Sequence, residues 1–432
     1  MKTIEWKLLS NSDKEKIINR NQCAQRDDIL EKTQQIIEAV KQEGDAALLR
    51  LTEKFDQVVL QELKVSETEF KLAQTKVDSA ELKAIKVAIE RIKAYNIRQL
   101  PEAYVYEEEG IRCERQARPI QSVGLYVPGG TAPLISTVMM LAIPALVAGC
   151  KRRILCTPPD LNGNISPVLL IAAKICGIDE IFKVGGAQAI AAMAYGTMTV
   201  PKVDKIFGPG NAWVTQAKIL CAIQAQVSID LPAGPSELFV IADKSANPVF
   251  VAADLLSQAE HDILSQVVLA TPDKLLAETV LKEIKIQLEK LPRKNIAEKS
   301  IENSLIIIVD DIKEAIEISN GYAPEHLSLQ LKNTFDYQSM IESAGTVFLG
   351  NNTAESMGDY ITGANHVLPT SGYARSQSGL SVLDFMKWVG FQEVSDAGLK
   401  KLGPIAQQLA EMEGLNGHKN AISYRLSEFE NV

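Results

Sequence analysis

The chain has 432 residues, of which 46% are hydrophobic and 23% are charged, a length and composition that fit a folded protein of two or more domains. Its formal net charge is −9 at pH 7 and no cluster of lysine or arginine stands out, so a nucleic acid is not expected as a partner. The N-terminus has no apolar signal segment and the six cysteines form no CxxC pair, so we expect a cytoplasmic protein without a disulfide framework.

Helices are predicted first along the chain, from about residue 27 to residue 100, where apolar residues recur at helical spacing. From Ser122 the pattern changes, because short β-rich runs then alternate with helices roughly every 25 residues. Three of these runs end in the loops VPGG, VGGAQ and FGPGN. Residues 237–380 repeat the alternation more loosely, and the chain from about residue 381 is predicted to be helical again.

The longest apolar stretch, from Ala132 to Cys150, approaches the length that spans a membrane. It contains two prolines, follows a glycine-rich loop and precedes three basic residues. We therefore interpret this stretch as a buried helix between two strands, and we expect no contact with a membrane.

The alternation of strands and helices predicts an α/β protein with two doubly wound parallel-sheet (Rossmann-like) domains and helical N- and C-terminal extensions. Ligands bind at the carboxyl ends of the strands in such sheets, which makes the three loops candidates for cofactor binding. None of them is a GxGxxG motif, so plain βα turns remain an alternative. The predicted divisions are an N-terminal arm (1–22), a discontinuous α/β domain (23–121 and 237–380), a second α/β domain with the candidate NAD-binding loops (122–236) and a C-terminal tail (381–432).

The histidines are few, and each lies in polar or glycine-rich surroundings: His261, His326, His366 and His418. Gln258 and His261 are three residues apart, so a helix would place both on one face, where they could share a metal ion. A polar helix terminus is the simpler alternative for that pair. Glu325 and His326 are adjacent and could act as two bases, or they could belong to a solvent-exposed turn.

Two further candidates lie later in the chain. Asp359 follows a glycine and could serve as a hard metal ligand, although an Asx turn explains the same residues. His418 lies about 90 residues beyond His326, so the tail must fold back or reach another subunit if His418 joins the site. A helix C-cap is the alternative interpretation of His418.

Taken together and in order, segments that cover most of the chain resemble the histidinol dehydrogenases. GPGNxxVxxAK and NHVLPT are specific motifs, and QAEHD and APEHL are specific in combination. The matching segments are VGLYVPGGTAPLISTVMM, VGGAQAIAA, FGPGNAWVTQAK, IDLPAGPSE, LLSQAEHD, GYAPEHL, GDYITGANHVLPT, GLSVLDF and EGLNGHKNA.

The resemblance implies an enzyme that oxidises L-histidinol through L-histidinal to L-histidine, the last steps of histidine biosynthesis, with two NAD⁺ and one water and with one zinc ion per site. It implies a homodimer with intertwined C-terminal tails. It implies the zinc ligands Gln258, His261, Asp359 and His418. It implies the acid–base pair Glu325 and His326 and the NAD⁺ contacts Tyr126, Gln188 and Asn211. It implies substrate contacts at Ser236, His326, Glu413 and the four zinc ligands, with Glu413 and His418 supplied by the second chain.

In this interpretation zinc orients the substrate, His326 accepts the hydroxyl proton as hydride leaves, and Glu325 activates the water that hydrates the aldehyde. A thiohemiacetal route through Cys113 or Cys150 is not assigned, because neither lies in a motif with a neighbouring base. A zinc hydrolase with the same ligands would produce no NADH. A ligand-binding or regulatory protein with this fold would not need an ordered acid–base pair.

Overall fold

The computed structural model describes residues 1–20, 27–129, 133–230 and 234–429. The chain divides into two compact units, Met1–Gln99 with Ile120–Phe385, and Leu100–Pro119 with Met386–Val432. The predicted boundary between residues 22 and 23 lies outside the described residues, and the predicted domain divisions stay predictions.

Strands of the described residues form three sheets. In chain order they are β1 (Lys2–Glu5), β2 (Tyr104–Glu108), β3 (Ile111–Pro119), β4 (Ser122–Tyr126), β5 (Arg152–Thr157), β6 (Glu180–Lys183), β7 (Lys205–Phe207), β8 (Ser228–Ile229), β9 (Glu237–Ala242), β10 (Gln266–Thr271), β11 (Leu305–Ile308), β12 (His326–Gln330), β13 (Thr346–Leu349) and β14 (Met386–Val394).

The helices of the described residues surround these sheets. In chain order they are α1 (Asn11–Asn19), α2 (Asp27–Glu43), α3 (Asp45–Asp56), α4 (Glu67–Gln74), α5 (Ser79–Ile97), α6 (Ile135–Ala148), α7 (Pro167–Ile175), α8 (Gly186–Tyr195), α9 (Ala212–Gln224), α10 (Pro248–Ala259), α11 (Lys274–Leu288), α12 (Lys294–Glu302), α13 (Ile312–Tyr322), α14 (Glu355–Tyr360), α15 (Asp396–Met412) and α16 (Asn416–Ser427). Short 3-10 helices lie at Trp6–Leu8, Thr334–Met340, Tyr373–Arg375 and Val382–Phe385.

The first unit contains a six-stranded parallel sheet in the order β1-β11-β10-β9-β12-β13. Alternate residues of its central strand β9 enter two different cores, since Leu238 and Val240 pack with α10 and α11, whereas Phe239 and Ile241 pack with α13. The sheet is therefore covered by helices on both faces, which explains why its strands are nearly continuous apolar runs.

The same unit contains a five-stranded parallel sheet in the order β6-β5-β4-β7-β8. The strand order reverses between β4 and β7, which is the switch point where doubly wound sheets bind ligands. The loops VPGG and FGPGN follow these two strands. The predicted α/β fold with doubly wound parallel sheets is confirmed.

Both ends of the chain contribute strands that were not predicted from the sequence. The segment predicted as an N-terminal arm begins with β1, which pairs in parallel with β11 at the edge of the six-stranded sheet. The tail predicted as helical begins with β14, which pairs with β3 along its whole length. A strand of this kind gains its stability from a partner far away in the chain, so its own residues do not identify it.

The second unit consists of an antiparallel sheet in the order β14-β3-β2, together with α15 and α16, which pack against each other. Helix α15 begins at the Ser395 cap, whose hydroxyl accepts a hydrogen bond from the Gly398 N–H. Among the described residues, no helix combines the length and the apolar character needed to cross a bilayer.

Candidate active site

A cleft with a volume of about 960 Å³ opens beside the carboxyl ends of β4 and β7. It is lined by all three residues predicted to contact NAD⁺: Tyr126, Gln188 and Asn211. Tyr126 ends β4, and its hydroxyl accepts a hydrogen bond of 3.0 Å from the Gly186 N–H at the start of α8. Asn211 is the N-cap of α9, and its side chain accepts hydrogen bonds from two backbone N–H groups of that helix. Gly130 of the VPGG loop lies outside the described residues.

A buried ion pair between Lys218 and Asp230 fixes the loop after β7. Lys218 also donates to the Gly208 carbonyl at 3.0 Å, and Asp230 accepts from the Gly208 N–H at 2.7 Å. Gly208 has a φ of +124°, and a Cβ atom there would lie 2.0 Å from the Tyr126 carbonyl oxygen. Only glycine fits this position, so the geometry of the cleft wall depends on Gly208 and on the ion pair beneath it.

The predicted acid–base pair lies at the amino edge of the six-stranded sheet, where β9 and β12 begin. Both side chains are held by the backbone of one residue, Glu237: its N–H donates to Glu325 Oε2 at 2.8 Å, and its carbonyl oxygen lies 3.0 Å from His326 Nδ1. Glu325 and His326 are both buried. The alternative of a solvent-exposed turn at these residues is therefore wrong.

The hydrogen bond to Glu237 also assigns the tautomer of His326. A carbonyl oxygen can only accept, so Nδ1 carries the proton and Nε2 keeps its lone pair in the neutral ring. Burial lowers the pKa of His326 to about 4, against the opposing effect of the Asp359 carboxylate. The imidazole is therefore neutral near pH 7, and its buried Nε2 has no hydrogen-bond partner.

Glu325 is a buried carboxyl group in an acidic neighbourhood. Burial raises its pKa well above the usual value, the Glu237 N–H lowers it, and nearby carboxylates add to the rise. A raised pKa makes the carboxylate a stronger base, which suits a group that removes a proton from water. The preceding turn contains Ala323 with a φ of +50°, followed by Pro324, and this turn directs the pair into the interior.

Gln258 lies in the last turn of α10, whereas His261 lies just beyond the helix end, so the two residues do not share one helix face as predicted. Gln258 is buried, and its side-chain amide hydrogen-bonds to Glu355. Burial raises the pKa of Glu355 and the hydrogen bond from Gln258 lowers it, so the Gln258 amide nitrogen is the donor, and its Oε1 atom is left buried without a partner. His261 follows in the turn after α10 and keeps an exposed surface. Partial desolvation lowers the pKa of the His261 imidazole, and Asp359 acts in the opposite direction.

Helix α14 brings two acidic side chains to the same place. Glu355 and Asp359 are four residues apart and so lie on one helix face; with His326 they form a group whose potential ligand atoms all lie within 4.8 Å of one another. Burial raises the pKa of Glu355 to about 8. Glu355 has no role predicted from the sequence, although its spacing of four from Asp359 was a usable signal.

Asp359 also contacts His366, to which no role was assigned from the sequence. His366 Nδ1 lies 3.4 Å from Asp359 Oδ1, and its Nε2 lies 3.5 Å from the hydroxyl of Thr137 on α6. Burial alone would raise the pKa of Asp359, but the hydrogen bond and charge of His366 outweigh it, and the net pKa is lowered. The ionised form of Asp359 is therefore favoured, which suits a negatively charged metal ligand.

The structure also describes three further predicted substrate contacts. Ser236 immediately precedes Glu237, and its carbonyl oxygen accepts from the Gln266 N–H; residues 231–233 of the matching segment lie outside the described residues. Glu413 caps the end of α15, and His418 lies in α16; both are exposed in the second unit.

The donor set fits a zinc ion. Zinc binds imidazole nitrogen and carboxylate oxygen, and catalytic sites leave a coordination position for the substrate. Buried polar atoms are normally hydrogen-bonded, so a cluster of such atoms without partners is a candidate place for a bound ligand. Three such atoms lie in this neighbourhood: Gln258 Oε1, His326 Nε2 and Glu355 Oε1. Asp359 is the one predicted ligand that also belongs to the close group of His326 and Glu355.

Two doubly wound sheets, a ligand cleft at a switch point, and a buried neutral histidine beside a basic carboxylate define an α/β enzyme that uses acid–base chemistry. A family model described as histidinol dehydrogenase matches residues 19–426. The chain belongs to the histidinol dehydrogenase family, and it is therefore an oxidoreductase.

Individual relatives agree with this assignment over nearly the whole chain. A histidinol dehydrogenase of Legionella pneumophila (strain Paris) is 51% identical over 427 residues, which are 98% of each protein. One from Vibrio parahaemolyticus is 47% identical over 430 residues, 99% of each. The crystal structure of histidinol dehydrogenase from Elizabethkingia anophelis superposes with a TM-score of 0.95 at 47% identity, and the match covers 100% of this chain and 99% of the other.

Proposed function

We propose that this enzyme oxidises L-histidinol through L-histidinal to L-histidine in the cytoplasm, with two NAD⁺ and one water, and that it requires zinc. The observation that carries the proposal is the arrangement at Glu237, whose backbone N–H and carbonyl orient Glu325 and His326 side by side. Two successive oxidations with a hydration between them need two bases of this kind.

The cleft beside β4 and β7 is the proposed site of NAD⁺, with Tyr126, Gln188 and Asn211 as contacts. Zinc would be held by Gln258, His261, Asp359 and His418. When bound, zinc orients the nitrogen atoms of the substrate, and NAD⁺ accepts the hydride. The unpartnered oxygen of Gln258 and the lowered pKa of Asp359 support these two ligands.

His326 serves the alcohol stage of the reaction. The substrate hydroxyl gives its proton to Nε2, which has a free lone pair because Nδ1–H is held by the Glu237 carbonyl. Loss of this proton and of a hydride from the same carbon–oxygen unit leaves the aldehyde. A buried, neutral imidazole is prepared for this role since it does not first have to lose a proton.

Glu325 serves the aldehyde stage. Its carboxylate removes a proton from water, whose oxygen adds to the carbonyl carbon, while the proton that His326 gained at the alcohol stage passes to the carbonyl oxygen and gives the hydrated aldehyde. Loss of a second hydride and of a hydroxyl proton from the hydrate leaves the carboxylic acid. One oxygen of Glu325 is fixed by the Glu237 N–H at 2.8 Å, which leaves the other oxygen to act on water.

We further propose a homodimer whose C-terminal tails supply Glu413 and His418 to the partner's site. Large exposed apolar side chains on α15, on α16 and between these helices support an interface there, because an extended exposed apolar surface usually marks a contact with another protein. The exposed side chains are Ile405, Leu409, Met412, Leu415 and Tyr424.

The decisive experiment mixes the purified, zinc-loaded protein with L-histidinol and NAD⁺, and follows NADH absorbance and L-histidine by chromatography. We expect two NADH per histidine. A zinc hydrolase or a ligand-binding protein would give no NADH under these conditions. The variant His326→Gln is the control for contaminating dehydrogenases, and equal rates from both preparations would refute the proposal.

A further inference from the structure

The proposed acid–base pair depends on two segments of backbone. One is the turn Tyr322–Pro324, which leads directly into Glu325 and His326. The other is the start of β9, where Glu237 presents its N–H and its carbonyl oxygen to the same two side chains. The relative position of these segments therefore sets the position of both bases.

Arg20 contacts both segments with one side chain. Its Nη2 atom forms an ion pair of 2.9 Å with Glu237 Oε2. Its guanidinium lies 3.7 Å from the centre of the Tyr322 ring, and Nη2 is 3.4 Å from the Ala323 carbonyl oxygen. The planar guanidinium is suited to this combination, since it can stack on an aromatic ring and donate in its own plane at once.

The ion pair is buried and further constrained. The side chains of Arg20 and Glu237 are 8% and 5% exposed, and the second oxygen of Glu237 accepts from the Ser371 N–H at 3.0 Å. Burial raises the pKa of Glu237, and Arg20 counteracts this effect. The carboxylate is thus fixed on both oxygens, which limits the freedom of the backbone at residue 237.

The Tyr322–Pro324 turn contains an unfavourable backbone conformation that its surroundings must stabilise. Ala323 has a φ of +50°, a left-handed conformation that is unfavourable for a residue with a Cβ atom. Such a conformation persists only where its surroundings hold it. Arg20 packs on the residue before Ala323 and approaches the Ala323 carbonyl, so it contributes to holding the turn.

We infer that Arg20 is a positioning residue for catalysis, which holds the Tyr322–Pro324 turn against the start of β9 and thereby sets Glu325 and His326 in their working geometry. This inference rests on the proposed function, because it takes Glu325 and His326 as the two bases. Arg20 lies 303 residues from Ala323 in the chain, so its part in the site is visible only in the fold.

The kinetic experiment compares Arg20→Met with Arg152→Met. Arg152 forms an exposed two-nitrogen ion pair with Glu180, so it controls for the loss of an arginine ion pair away from the site. We expect Arg20→Met to lower kcat about 10- to 100-fold, since small displacements of catalytic groups have effects of this size. KM should change by less than about 3-fold, because the proposed substrate contacts remain. The kcat of Arg20→Lys should lie between those of Arg20→Met and the wild type, since lysine keeps the charge but loses the planar contact.

A spectroscopic experiment tests the same inference without any activity. With only four histidines in the chain, ¹⁵N-histidine labelling should resolve the Nδ1–H of His326, identified by its loss in His326→Gln. We expect this signal to broaden or shift in Arg20→Met and to stay unchanged in Arg152→Met. If the wild-type protein makes no NADH, the proposed function fails, but this comparison still decides whether Arg20 positions His326.

The double variant Arg20→Met/Glu237→Gln separates positioning from charge neutralisation and removes the unpaired buried carboxylate that could prevent Arg20→Met from folding. We expect it to stay as slow as Arg20→Met. Full recovery of kcat in the double variant would overturn the inference, because Arg20 would then only balance a charge. An unchanged kcat together with an unchanged His326 signal in Arg20→Met or Arg20→Lys would overturn it as well.

Discussion

Gln258 donates its side-chain amide to Glu355, and this hydrogen bond leaves Gln258 Oε1 buried and without a partner. An amide can reverse its oxygen and nitrogen at little cost, so a fixed orientation needs a partner that accepts from the amide nitrogen. Glu355 therefore determines which atom Gln258 offers to the proposed zinc ion, as outer partners commonly do for metal ligands.

We predict that Gln258→Leu weakens zinc binding at least about 10-fold, because leucine keeps much of the volume but removes the donor oxygen. The measurement is zinc affinity by competition with a chelator and zinc content of the purified protein. Gln42→Leu, at an exposed position on α2, is the control and should bind zinc normally. Equal zinc affinity of the two variants would remove Gln258 from the ligand set.

We predict that Glu325→Gln slows the aldehyde stage more than the alcohol stage. The glutamine oxygen can still accept from the Glu237 N–H, so the side chain keeps its place but loses its basicity. Histidinal should accumulate in single-turnover experiments, and the rate of histidine formation should fall about 10²- to 10⁴-fold. Glu342→Gln at the surface should behave as wild type. Formation of histidine at the normal rate by Glu325→Gln would assign water activation to another group.

The proposed exchange of tails predicts a specific pattern of complementation. Chains with His326→Asn and chains with His418→Asn should each be inactive alone. A hybrid dimer with one chain of each kind, purified through two different tags, should contain one intact site and show about half of the wild-type activity. If His418 acts in its own chain, each site of the hybrid has one defect, and no activity should return.

Asp56 lines the cleft, and burial raises the pKa of its carboxyl group from 3.8 to about 6. We therefore predict that the stability of the protein depends on pH through this group. The folded protein therefore holds this proton more tightly than the unfolded chain, so stability is lost as the pH rises through the window from 3.8 to about 6. Asp56→Asn should raise the free energy of unfolding at pH 8 by about 1 kcal/mol, a value reduced for the partial exposure of the group.

The Asp56 prediction is checked by thermal unfolding at pH 8 and near pH 4, where the gain should vanish because the wild-type carboxyl group is then largely protonated. Asp336→Asn, at an exposed position, is the matched control. A gain of equal size at both pH values would show that ionisation of Asp56 is not its cause.

Lys218→Met is predicted to destabilise the loop after β7, because it leaves the buried Asp230 carboxylate without its counter-charge. Breaking a buried pair in this way costs about 3–5 kcal/mol. The measurements are the unfolding midpoint and the affinity for NAD⁺. Lys174→Met, which removes a surface ion pair with Asp179, should change neither. An Lys218→Met protein as stable as the control would contradict the structural role of the pair.

The parallel sheets could be predicted from the sequence because their strands are buried apolar runs that alternate with helices. Strands β2, β3 and β14 could not, because Tyr104–Glu108 and Met386–Val394 are joined only through Ile111–Pro119 and are mostly exposed. Their residues carry no clear pattern of one buried face.

The residues of the candidate site were also only partly predictable from the sequence. Gln258 with His261, and Glu325 with His326, could be proposed because chemically distinctive residues stand close together in the chain. Glu237 could not, because it acts on the pair through an N–H and a carbonyl that nearly every residue has. The part of Arg20 depends on contacts between distant segments, which no local pattern contains.

The single hydrogen bond at His326 Nδ1 limits how protons can travel through the proposed reaction. The Glu237 carbonyl cannot take up a proton, so a proton gained at Nε2 either leaves from Nε2 or displaces the Nδ1 proton towards Glu325 Oε2, which lies 3.5 Å from Nδ1. If the aldehyde is not released between the two oxidations, each of the two protons needs its own base. Glu325, which directly precedes His326 at the start of β12, accepts the second proton. The order in which the two protons leave the site therefore depends on which of the two bases is already protonated.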